Sequence, residues 1–308
     1  MASMQSIVLT FWIKQLRLFG GDDQDLGRMR ARFDRLSARS RPHRGVQATL
    51  VEVGGVLAEW LAPAGAPDNC VLLYIHGGAW FMGSTNTHRM LVSSLARASG
   101  VRALSINYQL APEHPFPAGL EDCLAAYHWL LRSGISPAKI IVVGDSAGGN
   151  LALAMLVALR DAGDPLPAAA VALSPVTDLT FSGESMKNRR HLDPFFGEAG
   201  SLNVAEDYLA GQDPRQPLIS PLYAELRGLP PLLIHAGDHE VLLDDSLRFG
   251  EAAKRAGVDV QVVVWPGMFH VFHAFAPLLP EAKQAIDQIG EFIRERLGEP
   301  EKSSGEAS

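Results

Sequence analysis

The chain has 308 residues, 47% hydrophobic and 20% charged, which is enough to bury a large core in one α/β domain carrying insertions. Lysine and arginine number 27 against 34 aspartates and glutamates, a net charge of −7, so no basic field exists to attract nucleic acid or an anionic membrane. A small or neutral partner fits better. The only two cysteines, Cys70 and Cys123, lie inside apolar patterns and read as small buried hydrophobes, neither a disulfide framework nor a metal site, which suits a reducing cytoplasm.

The first segment, SIVLTFWIKQLRLF, has no cationic start or cleavage site, and Lys14 and Arg17 interrupt it short of a membrane span. Ile7, Val8, Phe11, Trp12 and Leu16 recur at helical spacing and are expected to share an apolar face, either packed on the body or roofing a pocket. A charged helical segment follows at 25–40. Residues 47–53 alternate like a half-buried antiparallel strand that 56–61 can pair with across Gly54 and Gly55. CVLLYIH, VRALSINY, KIIVVG, AAAVALS, PLLIHAG and VDVQVVVW are short, nearly continuous apolar runs, as expected of strands covered on both faces. Helical patterns at 88–99, 118–132, 147–161, 244–256 and 282–297 alternate with most of them. That alternation predicts a mostly parallel central sheet flanked by helices, with ligands at the carboxyl ends of the strands. Between Ser174 and Pro230 it breaks, and the long aromatic-bearing insertion reads as a small helical element. The final EPEKSSGEAS is polar and expected to be disordered.

At 144–150 the run GDSAGGN places Ser146 where a strand becomes a helix. A serine on so sharp a turn has a strained backbone, and Gly144 and Gly148 remove the clashes two residues away. Its hydroxyl would stand above the sheet, with the Ala147 amide at a helix N-terminus where negative charge is favoured. The run lacks the ending of a P-loop and the dinucleotide spacing, although a glycine-rich turn for close helix packing would use similar residues. Asp145, adjacent on the same turn, points elsewhere and is given a structural role.

A nucleophilic serine needs a base and a group to orient that base, in this type of sheet in the order serine, acid, histidine. PGMFHVFHAF follows the last apolar run and offers His270 as the base, with His273 a weaker alternative; His235 reads as a core histidine. DHEVLLDDS follows PLLIHAG and offers Asp238, Glu240, Asp244 and Asp245, of which Asp238 or Glu240 best fits a carboxylate just past the strand end. In HGGAWFMGS, Gly77 and Gly78 let the backbone aim amides at an oxyanion, with the Ala147 amide as a further donor and His76 bracing the loop.

HGGAW, NYQLAPEHPFPAGLEDC, GDSAGGN, QPLISPL and PGMFHVF, in this order, resemble the hormone-sensitive-lipase family of α/β-hydrolases, the bacterial family IV carboxylesterases, from about residue 47 to 297. The resemblance implies an α/β-hydrolase fold, Ser146 as nucleophile, His270 as base and Gly77 and Gly78 in the oxyanion hole. The chain departs from the family's Asp-Pro-Leu-x-Asp, carrying Glu240-Val-Leu-Leu-Asp244. Aligning the shared leucine and aspartate puts Glu240 on the acid position, with Asp238 as rival.

The resemblance further implies a cap from residues 1–45 and 181–216 over a core of 46–180 and 217–298, with 299–308 as tail. The implied activity is hydrolysis of short- to medium-chain acyl esters through an acyl-enzyme, without metal or organic cofactor. The same triad would serve an amidase, thioesterase or deacetylase, and a silent ligand-binding relative would lack a triad member. Trp80, Phe81, Met82, Phe195 and Phe196 are expected to line the substrate pocket. By analogy, a homodimer would form through the last strand and the segment after His273.

Overall fold

The computed structural model describes residues 2–16, 26–37, 40–196 and 204–298. The tail at 299–308 lies outside them, as do 197–203 of the insertion.

Among the described residues eight strands form one sheet: β1 (Val46–Val53), β2 (Val56–Pro63), β3 (Val71–Ile75), β4 (Arg102–Ile106), β5 (Ile140–Asp145), β6 (Ala169–Leu173), β7 (Leu232–Gly237) and β8 (Val260–Trp265). Their order is β1-β2-β4-β3-β5-β6-β7-β8. The pairings β1 with β2 and β2 with β4 are antiparallel, and every later pairing is parallel. The helices are α1 (Met4–Leu16), α2 (Leu26–Ser37), α3 (Thr85–Ser99), α4 (Ala118–Arg132), α5 (Ala147–Ala162), α6 (Ser185–Asn188), α7 (Val204–Leu209), α8 (Leu243–Arg255) and α9 (Pro280–Leu297). Helix α3 starts three residues earlier than its apolar pattern because Ser84 and Thr87 form a reciprocal capping box.

Alternate residues of each central strand feed two cores. Leu73, Ile75 and Val142 pack with Leu120 of α4, Leu151 of α5 and Phe249 of α8. Leu72, Tyr74 and Val143 pack with Leu95 of α3 and Ile289 of α9 on the other face. Both faces are therefore covered, which is why these strands read as continuous apolar runs.

Three expectations are corrected. Strand β8 ends the sheet among the described residues and is only partly buried, being an edge strand. Strand β1, the opposite edge, has four consecutive exposed residues, so its alternation marks no buried face. In α1 the expected packing face is turned outward: Ile7, Val8, Phe11 and Trp12 are exposed, and the buried side chains are Ser6 and Ile13. Ile13 joins Met268, Phe269, Phe272 and Leu279. The helix is oriented by its ends, where Ser3 donates to Glu281 and Lys14 donates to the His191 carbonyl at 2.7 Å. Among the described residues no helix is long and apolar enough to cross a membrane.

Helix α5 can start this close to the sheet because Gly144 and Gly148 carry no side chain. A Cβ at Gly148 would come closer than 3.0 Å to the carbonyl oxygens of Ile75 and His76, and one at Gly144 would meet the Gly148 carbonyl equally closely. Both obstacles are backbone, so neither can step aside. Gly148→Ala is expected to lose about 1–3 kcal/mol or more of stability, read as a lower thermal midpoint; a variant melting with the parent would contradict this close approach.

Candidate active site

The turn between β5 and α5 holds Ser146 at φ 53° and ψ −119°, a positive-φ conformation that a residue with a Cβ rarely adopts. Its N–H donates to the Leu173 carbonyl at 2.8 Å, and its own carbonyl accepts from Asn150 at 3.0 Å. Asn150 is fully buried and its side chain donates to the carbonyls of Val176 and Ile219. The last residue of GDSAGGN thereby ties the QPLISPL segment to the helix that follows Ser146, a role that sequence reasoning missed.

His270 Nε2 lies 2.9 Å from Ser146 Oγ, and His270 Nδ1 lies 3.0 Å from Glu240 Oε2. A carboxylate can only accept, so Nδ1 carries the proton and Nε2 is left to accept from the hydroxyl. Glu240 also accepts from the Gly237 amide at 3.2 Å, which fixes its longer side chain. Burial works against charge on His270, but the hydrogen bond and charge of Glu240, helped by Asp193 and Asp145, raise its pKa above 6.5. Burial likewise pushes Glu240 up.

The rival acid is directed elsewhere. Asp238 accepts from the Gly267 amide at 2.5 Å, bracing the loop that leads to His270 without meeting the imidazole. Asp244 accepts from Ser185 N, and Asp245 accepts from the amides of Thr177 and Asp178. His273 and His235 face each other at 3.3 Å inside the core, with burial lowering the pKa of both.

The glycine loop is braced from below by Asp145, which accepts from Tyr74 Oη at 2.6 Å and from the Gly77 amide at 3.0 Å, with His88 Nε2 3.4 Å away. This corrects the expectation for Gly77. Its N–H is engaged by Asp145, and its missing side chain makes room for that carboxylate, since a Cβ there would overlap it. Gly78, at φ 121°, and Ala79, at φ 52°, continue the turn, and Ala79 lines the cavity beside Ser146. His76 Nδ1 donates to the Gly77 carbonyl at 2.8 Å, and burial lowers its pKa to about 3, so it braces the loop as a neutral ring.

The run NYQLAPEHPFPA also finds its purpose here. Tyr108 stacks on His76 and donates to its carbonyl at 3.0 Å, and Ala111 N donates to the Trp80 carbonyl. Arg30 of α2 donates to the carbonyls of Phe81 and Ala111 and pairs with Glu113 at 2.6 Å.

A cavity of about 30 Å³ opens at Ser146, walled by Trp80, Val176, Phe181, Met186, Phe196 and Leu242 among others. Of the residues expected to line a substrate pocket, Trp80 and Phe196 are among the walls of this cavity. Phe81, Met82 and Phe195 do not line it: Phe81 and Met82 turn back so that their amides donate to the Gly78 carbonyl, and Phe195 packs on Phe269 and Phe275. Apolar residues so far apart in sequence carry no local signal that would mark them as neighbours.

A family model described as the alpha/beta hydrolase fold matches residues 72–274. An acetyl-hydrolase of Streptomyces hygroscopicus is 48% identical over 81% of this chain and 83% of its own length. An esterase of Acinetobacter venetianus is 39% identical over 80% and 82%. A solved esterase of the bacterial hormone-sensitive lipase family superposes with a TM-score of 0.91 at 45% identity, covering 97% of this chain and 100% of that one. The chain belongs to the α/β-hydrolase family, in its hormone-sensitive-lipase branch.

Burial raises the cost of a charge on Asp145, yet His88, Tyr74 and the Gly77 amide together lower its pKa from 3.8 to about 2. A depressed carboxylate pKa contributes stability above the unfolded value and loses it as pH falls through the folded one, here a window from about 4 down to 2. The contribution is roughly 2 kcal/mol. Asp145→Asn is therefore expected to lower the denaturant midpoint clearly at pH 6, with the gap to the parent narrowing by pH 3.

Proposed function

We propose that the protein is a serine carboxylesterase acting on short- to medium-chain acyl esters, with Ser146, His270 and Glu240 as its triad. The observation that carries this reading is the unbroken chain of hydrogen bonds from Ser146 through His270 to Glu240 at the mouth of an apolar cavity. Support also comes from relatives named esterase and acetyl-hydrolase and from a solved relative, 44% identical, that was soaked with p-nitrophenyl butyrate.

As the hydroxyl attacks an ester carbonyl, His270 takes its proton through Nε2, and Glu240 stabilises the imidazolium that forms. The amides of Gly78, Ala79 and Ala147 would hold the developing oxyanion, the last at the N-terminus of α5. The imidazolium returns its proton to the leaving alcohol, leaving an acyl group on Ser146. Water activated by the same imidazole then releases the acid. Only proton transfers and anion stabilisation are needed, with no cofactor in any step.

Helices α1, α2, α6 and α7 would form the cap. Wall residues Phe181 and Met186 come from the insertion, so cap and acyl pocket are one unit. The open edge of β8 and the exposed Leu278 support a homodimer through that side, and two free, buried cysteines support a cytoplasmic setting.

The test is initial-rate hydrolysis across a series of p-nitrophenyl esters, with amide and thioester analogues beside them. Ser146→Ala is expected to lose roughly four decades or more of kcat; activity that survives it would remove the mechanism. Because the imidazole must be neutral to act as base and its pKa is raised, kcat/KM should fall below a pH above 6.5, and Glu240→Gln should move that limb downward. Met186→Ala should enlarge the cavity and shift preference to longer chains; an unchanged chain-length profile would place the acyl group elsewhere.

A further inference from the structure

Within residues 181–216, among the described residues, Asp193 is the one buried acidic side chain, and no step of the mechanism above is assigned to it. It is 1% exposed and accepts three backbone hydrogen bonds: from Phe195 N at 2.9 Å, from Phe196 N at 3.4 Å and from Val241 N at 3.0 Å. The first two belong to its own turn. The third belongs to the residue after Glu240, 48 positions away, so one carboxylate spans the insertion and the loop that carries the triad acid.

Its turn also places the Phe196 ring edge-on to His270, with centroids 5.0 Å apart. Phe195, one residue earlier, packs on Phe269 beside Ile13 of α1. Accepting from three N–H groups while donating to none is the pattern of an ionised carboxylate. Burial pushes the Asp193 pKa up, and the charge of His270 and the three amides oppose that.

Resting on the triad proposed above, we infer that Asp193 is a positioning residue for it: a buried carboxylate that ties the insertion to the residue after Glu240 and seats Phe196 against His270. The titratable groups whose charge acts on this imidazole are Glu240 after β7, which is bonded to it, Asp193 in the insertion and Asp145 at the end of β5, while burial keeps His273 neutral. Of the three carboxylates, Glu240 is bonded to His270 and Asp145 is committed to Tyr74 and Gly77. Asp193 is the one whose charge comes from the insertion, so the basicity of His270 depends on the insertion being seated.

The experiment is the pH dependence of kcat/KM and kcat for Asp193→Asn and Asp193→Ser, with Phe196→Leu as control, on an ester the parent hydrolyses and Ser146→Ala does not. That condition separates failure of the triad reading from failure of this one. Serine can keep the turn by accepting from Phe195 N, so it guards against a misfolded asparagine variant.

Loss of one negative charge should move the acid limb of kcat/KM down by about one pH unit. It should also lower kcat by up to about tenfold on the alkaline plateau, because the imidazolium of the transition state is destabilised to the same degree. Phe196→Leu should raise KM and leave the limb in place. Folded Asp193 variants whose acid limb coincides with the parent's, whatever their thermal midpoints, would overturn the inference and leave Asp193 a structural tie.

Discussion

Everything in the site is measured from the backbone of Ser146. A left-handed conformation on a residue with a Cβ costs of order 1–3 kcal/mol and persists only where its surroundings over-determine it. Here β6 holds its N–H, Asn150 and Val176 hold its carbonyl, and the glycines on either side let α5 lie directly against β3. Relaxing the turn would break those bonds and push the helix off the sheet, so the strain is locked in by packing. The hydroxyl is consequently presented at a fixed height above the carboxyl ends of β3, β5, β7 and β8, where the other parts of the site arise.

A second constraint follows from putting acids in so apolar a place. Asp145, Asp193 and Glu240 are each nearly or fully buried, and an unpaired buried carboxylate would be heavily penalised. Each is met by backbone N–H groups: Gly77 for Asp145, Gly237 for Glu240, and three amides for Asp193. Amides hold an anion without bringing a counter-charge that would cancel its field. The negative potential of Glu240 and Asp193 thus remains available to the imidazole, and that of Asp145 to His88.

The sheet, its flanking helices and the three residues of the proposed triad were legible because each rests on a local signal: a continuous apolar run, a glycine-flanked serine, a histidine or acid just past a strand end. Glu240 could be chosen over Asp238 only by aligning a motif. The structure adds the reason, since Asp238 is taken by the Gly267 amide while Glu240 is long enough to accept from Gly237 and His270 together. What failed were inferences about direction. Helical spacing in α1 marked an apolar stripe but not which way it turned, and the pair Gly77-Gly78 showed that the backbone could approach closely but not which amide Asp145 would engage. Phe81, Met82 and Phe195 had suitable chemistry and neighbouring positions, yet one backbone turn in each case sent the ring or thioether away from the cavity.

The pocket is the part of the protein least written into any single stretch. Its walls come from the glycine loop, the nucleophile turn, the loops after β6 and β7, and the insertion, and none of these segments encloses space alone. The first two are rigid, held by backbone and by the Tyr108, His76 and Asp145 contacts. The insertion is held by packing, with Tyr208 stacked on Trp80, and by polar ties that include Lys14 to the His191 carbonyl, Ser185 to Asp244 and the Val241 carbonyl, and Asp193 to Val241. Two of these anchors sit in the loop that carries Glu240. In the proposed mechanism, whatever shifts the insertion to fit a longer acyl group must therefore also pull on Glu240, so substrate size and catalytic alignment would be set by the same contacts.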